Sequence, residues 1–126
     1  MEIIRTVINT DLKCIKDFRD KLIFLLREKN FDEDYIFKIK LILDELTTNS
    51  YKHGNLKDYQ KLIEIIIQLS DTYSLIKVKD EGEGIIPKNC QDLYSESGRG
   101  IDLVKKLADR TIIKSNSIAC LILKEK

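Results

Sequence analysis

Residues Leu62 to Leu69 read LIEIIIQL, and after Ser70, Asp71 and Thr72 a second apolar run extends from Tyr73 to Val78. The first run is too short and too β-branched to prefer a helix, and two such runs around a polar turn predict an antiparallel hairpin. Any fold for this chain must bury one face of that hairpin. The segments ahead of it can do so. Asn9, Thr10 and Asp11 offer N-cap chemistry for a helix from about Leu12 to Lys29, in which Ile15, Phe18, Leu22, Leu25 and Leu26 recur on one face. Asp32 opens a second helix running to about His53, with Ile36, Ile39, Ile42, Leu43 and Leu46 as its apolar face and Gly54–Asn55 as its stop.

A short β-branched segment, Glu2 to about Asn9, precedes the helices. Beyond the hairpin, Ile101 to Ala108 reads as a third helix, and Thr111 to Lys114 with Ile118 to Leu123 as a closing strand pair. The order β-α-α-β-β-α-β-β, with strands in runs, predicts an α+β fold: a layer of about three helices over one mainly antiparallel sheet.

A chain of 126 residues fits one domain, taken as residues 1–126. Its 43% hydrophobic and 34% charged content excludes disorder and a membrane class. Lys and Arg total 22 against 21 acidic residues, so the net charge of +1 gives no broad drive toward nucleic acid or an anionic membrane. A phosphate held by this chain must therefore be held locally. No apolar stretch approaches a spanning helix, and the start MEIIRTVINTD lacks the features of a signal peptide, so the expected location is the cytoplasm. Cys14, Cys90 and Cys120 are far apart and in no CxxC pattern, and the chain has one His, so neither a disulfide framework nor a zinc site is expected.

Three constellations carry chemistry. Glu45, Asn49 and His53 stand at i, i+4 and i+8 of the second helix and share one slowly drifting stripe at its border. Lys79-Asp80-Glu81-Gly82-Glu83-Gly84-Ile85 follows a strand, and alternation puts Asp80 on the inward face with Ile76 and Val78. A carboxylate entering that side needs a partner, which an amine donor of a ligand supplies, while Gly82 and Gly84 admit close backbone approach. Ser97-Gly98-Arg99-Gly100 stands at the mouth of the third helix, where free N–H groups and the helix dipole receive anions and Arg99 adds a donor fork. Taken singly, each has a plainer reading: a solvated helix carboxylate, a capping histidine, a tight strand-exit turn, a glycine-rich helix entry. GxxxxGK[ST] and the dinucleotide-binding GxGxxG are both absent.

In order, the three give E-x-x-x-N-x-x-K-H-G, D-x-G-x-G and S-G-R-G. This series resembles the ATP-binding (Bergerat) fold shared by sensor histidine kinases, DNA gyrase, a heat-shock chaperone and mismatch-repair ATPases, a two-layer sandwich with a mainly antiparallel mixed sheet. Within that group the chain is most similar to the small anti-sigma-factor serine/threonine kinases of bacterial partner-switching modules. The resemblance implies ATP and Mg²⁺ as ligands, Glu45 as general base, Asn49 as the Mg²⁺ holder and Lys52 as a phosphate contact, with His53 completing that motif. It implies that Asp80 accepts from the adenine amine, with Gly82, Gly84 and Ile85 around the base, and that Ser97, Gly98, Arg99 and Gly100 wrap the phosphates. The implied partners are a sigma factor and an anti-sigma-factor antagonist that is phosphorylated, with the first helix and first strand as candidate partner or homodimer surfaces. No direct nucleic-acid or membrane contact is implied.

Two positions depart from the pattern. Where the family commonly has Gly-Thr before the last strand, this chain has Ser115-Asn116-Ser117, leaving Ser117 to substitute for the threonine; where some of these kinases carry arginine before Ser-Gly-x-Gly, it has Glu96. These departures keep open an alternative, an ATP-binding regulatory or sequestering module without phosphotransfer.

Overall fold

The computed structural model describes residues 1–82 and 98–124, and of Gly98 to Ile101 the backbone alone. The first strand β1 (Glu2–Asn9) leads into α1 (Leu12–Glu28) and α2 (Glu33–Asn49); a single π-helical turn (Ser50–Gly54) follows. Then come β2 (Leu62–Leu69), β3 (Tyr73–Lys79), α3 (Gly98–Leu107), β4 (Arg110–Lys114) and β5 (Ser117–Leu123). The strands form one sheet in the order β1-β2-β3-β5-β4. Every pairing among the described residues is antiparallel, as the mainly antiparallel α+β reading expected; none of them is parallel, so the mixed character that the family resemblance implied is not seen there.

Period-two alternation decides the sheet's inner face. Ile63, Ile65, Ile67 and Leu69 of β2 are buried, as are Ile76 and Val78 of β3 and Ile118, Cys120 and Ile122 of β5. They meet Ile15, Leu22 and Leu26 of α1, Ile36 to Leu46 on one stripe of α2, and Val104 and Ala108 at α3. Burying each such Ile or Leu contributes about 1.5–3 kcal/mol, so this layer-to-layer contact dominates the stability. α2 is the central helix, packed on α1, α3 and β3. Inside this core Tyr35 Oη meets Ser74 Oγ at 2.9 Å and donates to the Ile122 carbonyl at 3.0 Å, and burial raises its pKa. Burial also pushes the Cys120 thiol up to about 11, which leaves it an unreactive core residue.

The helix ends follow from local chemistry. Asp11 caps α1 by accepting from the Cys14 N–H, and Asp32 caps α2 by accepting from the Asp34 and Tyr35 N–H groups. After α1, Asn30 takes a left-handed φ of 61°, and Phe31 N–H returns to the Leu26 carbonyl at 3.1 Å, a Schellman-type stop.

Two ends differ from the sequence expectation. α3 starts at Gly98 rather than Ile101, so Gly98, Arg99 and Gly100 form its first turn instead of its approach. The second helix does not stay α-helical to His53: after Asn49 it widens, and Asn55 N–H reaches back five residues to the Ser50 carbonyl at 2.7 Å. His53 therefore leaves the regular stripe that runs through Glu45 and Asn49. The chain then turns sharply through Leu56 and Lys57, both at positive φ (51° and 60°).

Candidate functional site

The sheet ends where β3 runs out beneath the C-terminal end of α2. Asp80, the first residue past β3, is half-buried there. Its Oδ1 accepts from the Gly82 N–H at 2.9 Å, and the Ser50 hydroxyl also hydrogen-bonds it. Burial nevertheless prevails over these bonds and raises its pKa above the ordinary carboxylate value. Gly54 explains how the π turn comes so close: a Cβ at that position would fall on the Asp80 carboxylate, and one at Gly82 would stand 2.5 Å from the Gly54 carbonyl oxygen. Both glycines are required by space.

Asn49, at the last position of α2, is 2% exposed, and neither its Oδ1 nor its Nδ2 has a hydrogen-bond partner among the described residues. A buried primary amide with both polar ends open costs about 1–3 kcal/mol per unmet group. Folds retain such a group where a ligand or ion completes it. The neighbouring Thr47, equally buried, is satisfied by donating to the Leu43 carbonyl at 2.7 Å. Glu45 stands one turn before Asn49 and is partly exposed, so it borders the same helix end with access to solvent. An oxygen donor with no protein partner among the described residues, one turn from the partly exposed Glu45, fits Mg²⁺, which keeps water and phosphate oxygens as most of its ligands.

The first two sequence constellations thus meet: Asn49 to Gly54 from one side and Asp80 to Gly82 from the other. Lys52 is exposed on the π turn, and His53 is partly buried in it. The third constellation contributes the first turn of α3, a helix packed on α2. Gly84, Ile85 and Ser97 lie outside the described residues. Ser117 opens β5 and pairs with Lys79, so by alternation it faces away from Asp80; Asn116 is the residue in register with Asp80.

Over residues 8–124 the sequence matches the family described as histidine kinase-like ATPase domain. The chain belongs to that family. This histidine kinase-like ATPase domain is also similar to curated anti-sigma F factors. That of Clostridium botulinum is 30% identical over 90 residues, 65% of this chain and 63% of that protein. Those of Geobacillus stearothermophilus and Geobacillus thermodenitrificans are 29% and 28% identical over 90 residues, 65% of this chain and 62% of each. The chain spans a little under two thirds of the length of these relatives. No helix among the described residues is long and apolar enough to cross a membrane.

Sequence reasoning missed one residue of this ATPase domain's site. Asn55, read as part of a helix stop, is fully buried. Its Nδ2 donates to Thr10 Oγ1 at 2.7 Å and to the Leu62 carbonyl at 3.0 Å, and its Oδ1 accepts from the Glu81 N–H at 2.8 Å. Its partners lie 45, 7 and 26 residues away in the chain, so no local signal marked it.

Proposed function

We propose that this domain binds Mg·ATP between the end of α2, the exit of β3 and the start of α3, and transfers the γ-phosphoryl group to a serine or threonine of an anti-sigma-factor antagonist. In this reading it is a cytoplasmic anti-sigma factor that holds a sigma factor until its partners exchange. Membership of the histidine kinase-like ATPase family supports ATP binding, and the similarity to anti-sigma F factors supports the partner class. The observation that carries the reading is the buried amide of Asn49, without a partner among the described residues, directly before the Ser50 that hydrogen-bonds the half-buried carboxylate of Asp80.

In this scheme Asn49 Oδ1 would hold Mg²⁺, which when bound neutralises phosphate charge. Asp80 accepts a hydrogen bond from the adenine amine. Lys52 and the N–H groups of the first turn of α3 would neutralise the phosphates. Glu45 takes the proton of the acceptor hydroxyl as its oxygen bonds phosphorus and ADP departs.

The test is binding of Mg·ATP to wild type and to Glu45→Ala, followed by transfer of radiolabelled phosphate to the source organism's anti-sigma-factor antagonists. Binding by both with transfer by wild type alone is the expected result. Binding without transfer by wild type would leave the ATP-dependent sequestering module, and absence of binding would overturn the nucleotide site.

A further inference from the structure

The β3–β5 ladder does not end with the strands. Lys79 pairs with Ser117, and one residue further Asp80 N–H donates to the Asn116 carbonyl at 3.0 Å, as the register requires. The return bond of that rung comes from the Asn116 side chain: its Nδ2 donates to the Asp80 carbonyl, also at 3.0 Å. Asn116 thus grips both backbone polar groups of Asp80.

The Asp80–Glu81 peptide is gripped from the other side as well. Asn55 Oδ1 accepts from the Glu81 N–H, while Asn55 Nδ2 holds the Leu62 carbonyl. The Leu62 N–H donates to the Glu81 carboxylate, which closes a ring through Asn55, Leu62 and Glu81. Asn55 is itself anchored to the start of α1 through Thr10, whose hydroxyl donates to the Lys61 carbonyl at 2.8 Å. A turn at the end of a strand ordinarily has freedom to shift its side chains by rotating a peptide. Here the peptide after Asp80 is held at its carbonyl by Asn116 and at its N–H by Asn55, from opposite elements, and the peptide before it is held at its N–H by Asn116.

We propose that Asn116 and Asn55 are positioning residues, a two-sided clamp on the Asp80–Glu81 backbone, and that the clamp sets selectivity for a nucleobase bearing an exocyclic amine. The inference rests on the nucleotide-binding reading and deepens it. A carboxylate fixed in place discriminates between a base that donates a hydrogen bond and one that presents a carbonyl there, because the wrong base leaves a half-buried carboxylate facing an acceptor. A carboxylate free to swing loses that distinction.

The experiment compares dissociation constants for ADP and inosine diphosphate, which differ at that exocyclic position, in wild type, Asn116→Ser and Asn55→Ala. Asn116→Ser keeps a turn-forming residue but is too short to reach the Asp80 carbonyl, and it lies in a partly exposed turn remote from the core. Wild type is expected to prefer ADP by about tenfold or more. Asn116→Ser should bring the ratio to about twofold by weakening ADP with inosine diphosphate unchanged. Asn55→Ala, where it folds, should do the same. A ratio kept in Asn116→Ser, or equal weakening of both nucleotides, overturns the clamp while leaving the nucleotide site standing. A wild type that binds neither nucleotide, or binds both alike, overturns the nucleobase reading and the clamp with it.

Discussion

Asn49 and Asn55 are the same residue type, six positions apart, both almost wholly buried, and they lie at opposite ends of one π-helical turn. Asn55 satisfies three partners with three hydrogen bonds, and Asn49 has none among the described residues. A buried polar side chain that is fully bonded reports on the fold, because its neighbours were placed to meet it. Asn49, unmet among the described residues, is the group that the proposed Mg²⁺ would complete. The π turn separates the two: it follows Asn49 at the end of α2 and brings Asn55 inward against Thr10, just past β1, and Leu62 at the start of β2.

The contrast is broken most severely at Asn55. Asn55→Leu preserves approximate volume but leaves the Glu81 N–H, the Leu62 carbonyl and the Thr10 hydroxyl short of a partner, and should lower stability by about 3 kcal/mol or more in urea unfolding. A loss below about 1 kcal/mol would mean that water replaces Asn55 freely, and its burial would then carry no structural meaning. The same change at Asn49 should act in the opposite sense. Asn49→Leu removes two polar groups unmet among the described residues, so its free energy of unfolding in urea should equal or exceed that of wild type by up to about 1 kcal/mol, while Mg²⁺-dependent ATP affinity falls about a hundredfold. Destabilisation of Asn49→Leu comparable to Asn55→Leu would show that Asn49 has structural partners after all.

The ends of this comparison were unequally visible in the sequence. β1 and β2 have the bounds that short, β-branched runs gave them, Glu2–Asn9 and Leu62–Leu69, because this signal is local and each strand buries one face. Asn49 and Asp80 were recognisable because each belongs to a spaced motif. The π turn was not: nothing in Ser50-Tyr51-Lys52-His53-Gly54 encodes a five-residue period, which accompanies contacts of Ser50 and Gly54 with Asp80, thirty and twenty-six residues on. Asn116 read as a departure from a glycine, yet in the fold its side chain supplies a rung of the ladder. A missing motif residue is silent about what its replacement does until the register is known.

Asp80 stands between the two asparagines in kind as well as in space. The Gly82 N–H and the Ser50 hydroxyl partly satisfy it, but burial prevails and its pKa in the folded protein is raised. The unfolded chain therefore releases this proton first as pH rises. Stability from the protonated form is fully present below the ordinary carboxylate pKa of about 4 and is lost as pH rises through the higher folded value. Asp80→Asn keeps an oxygen to accept from Gly82 and cannot titrate. The melting temperature of the variant should therefore gain on wild type as pH rises from about 3, then run parallel once the folded pKa is passed. The effect should be smaller than those at Asn55 and Asn49, since the carboxylate is only half-buried and keeps two hydrogen bonds. A difference that stays constant with pH would mean that Asp80 is as well accommodated as in the unfolded chain. The site would then owe its unmet polarity to Asn49 alone, and the amine-accepting role of Asp80 would lose its physical basis.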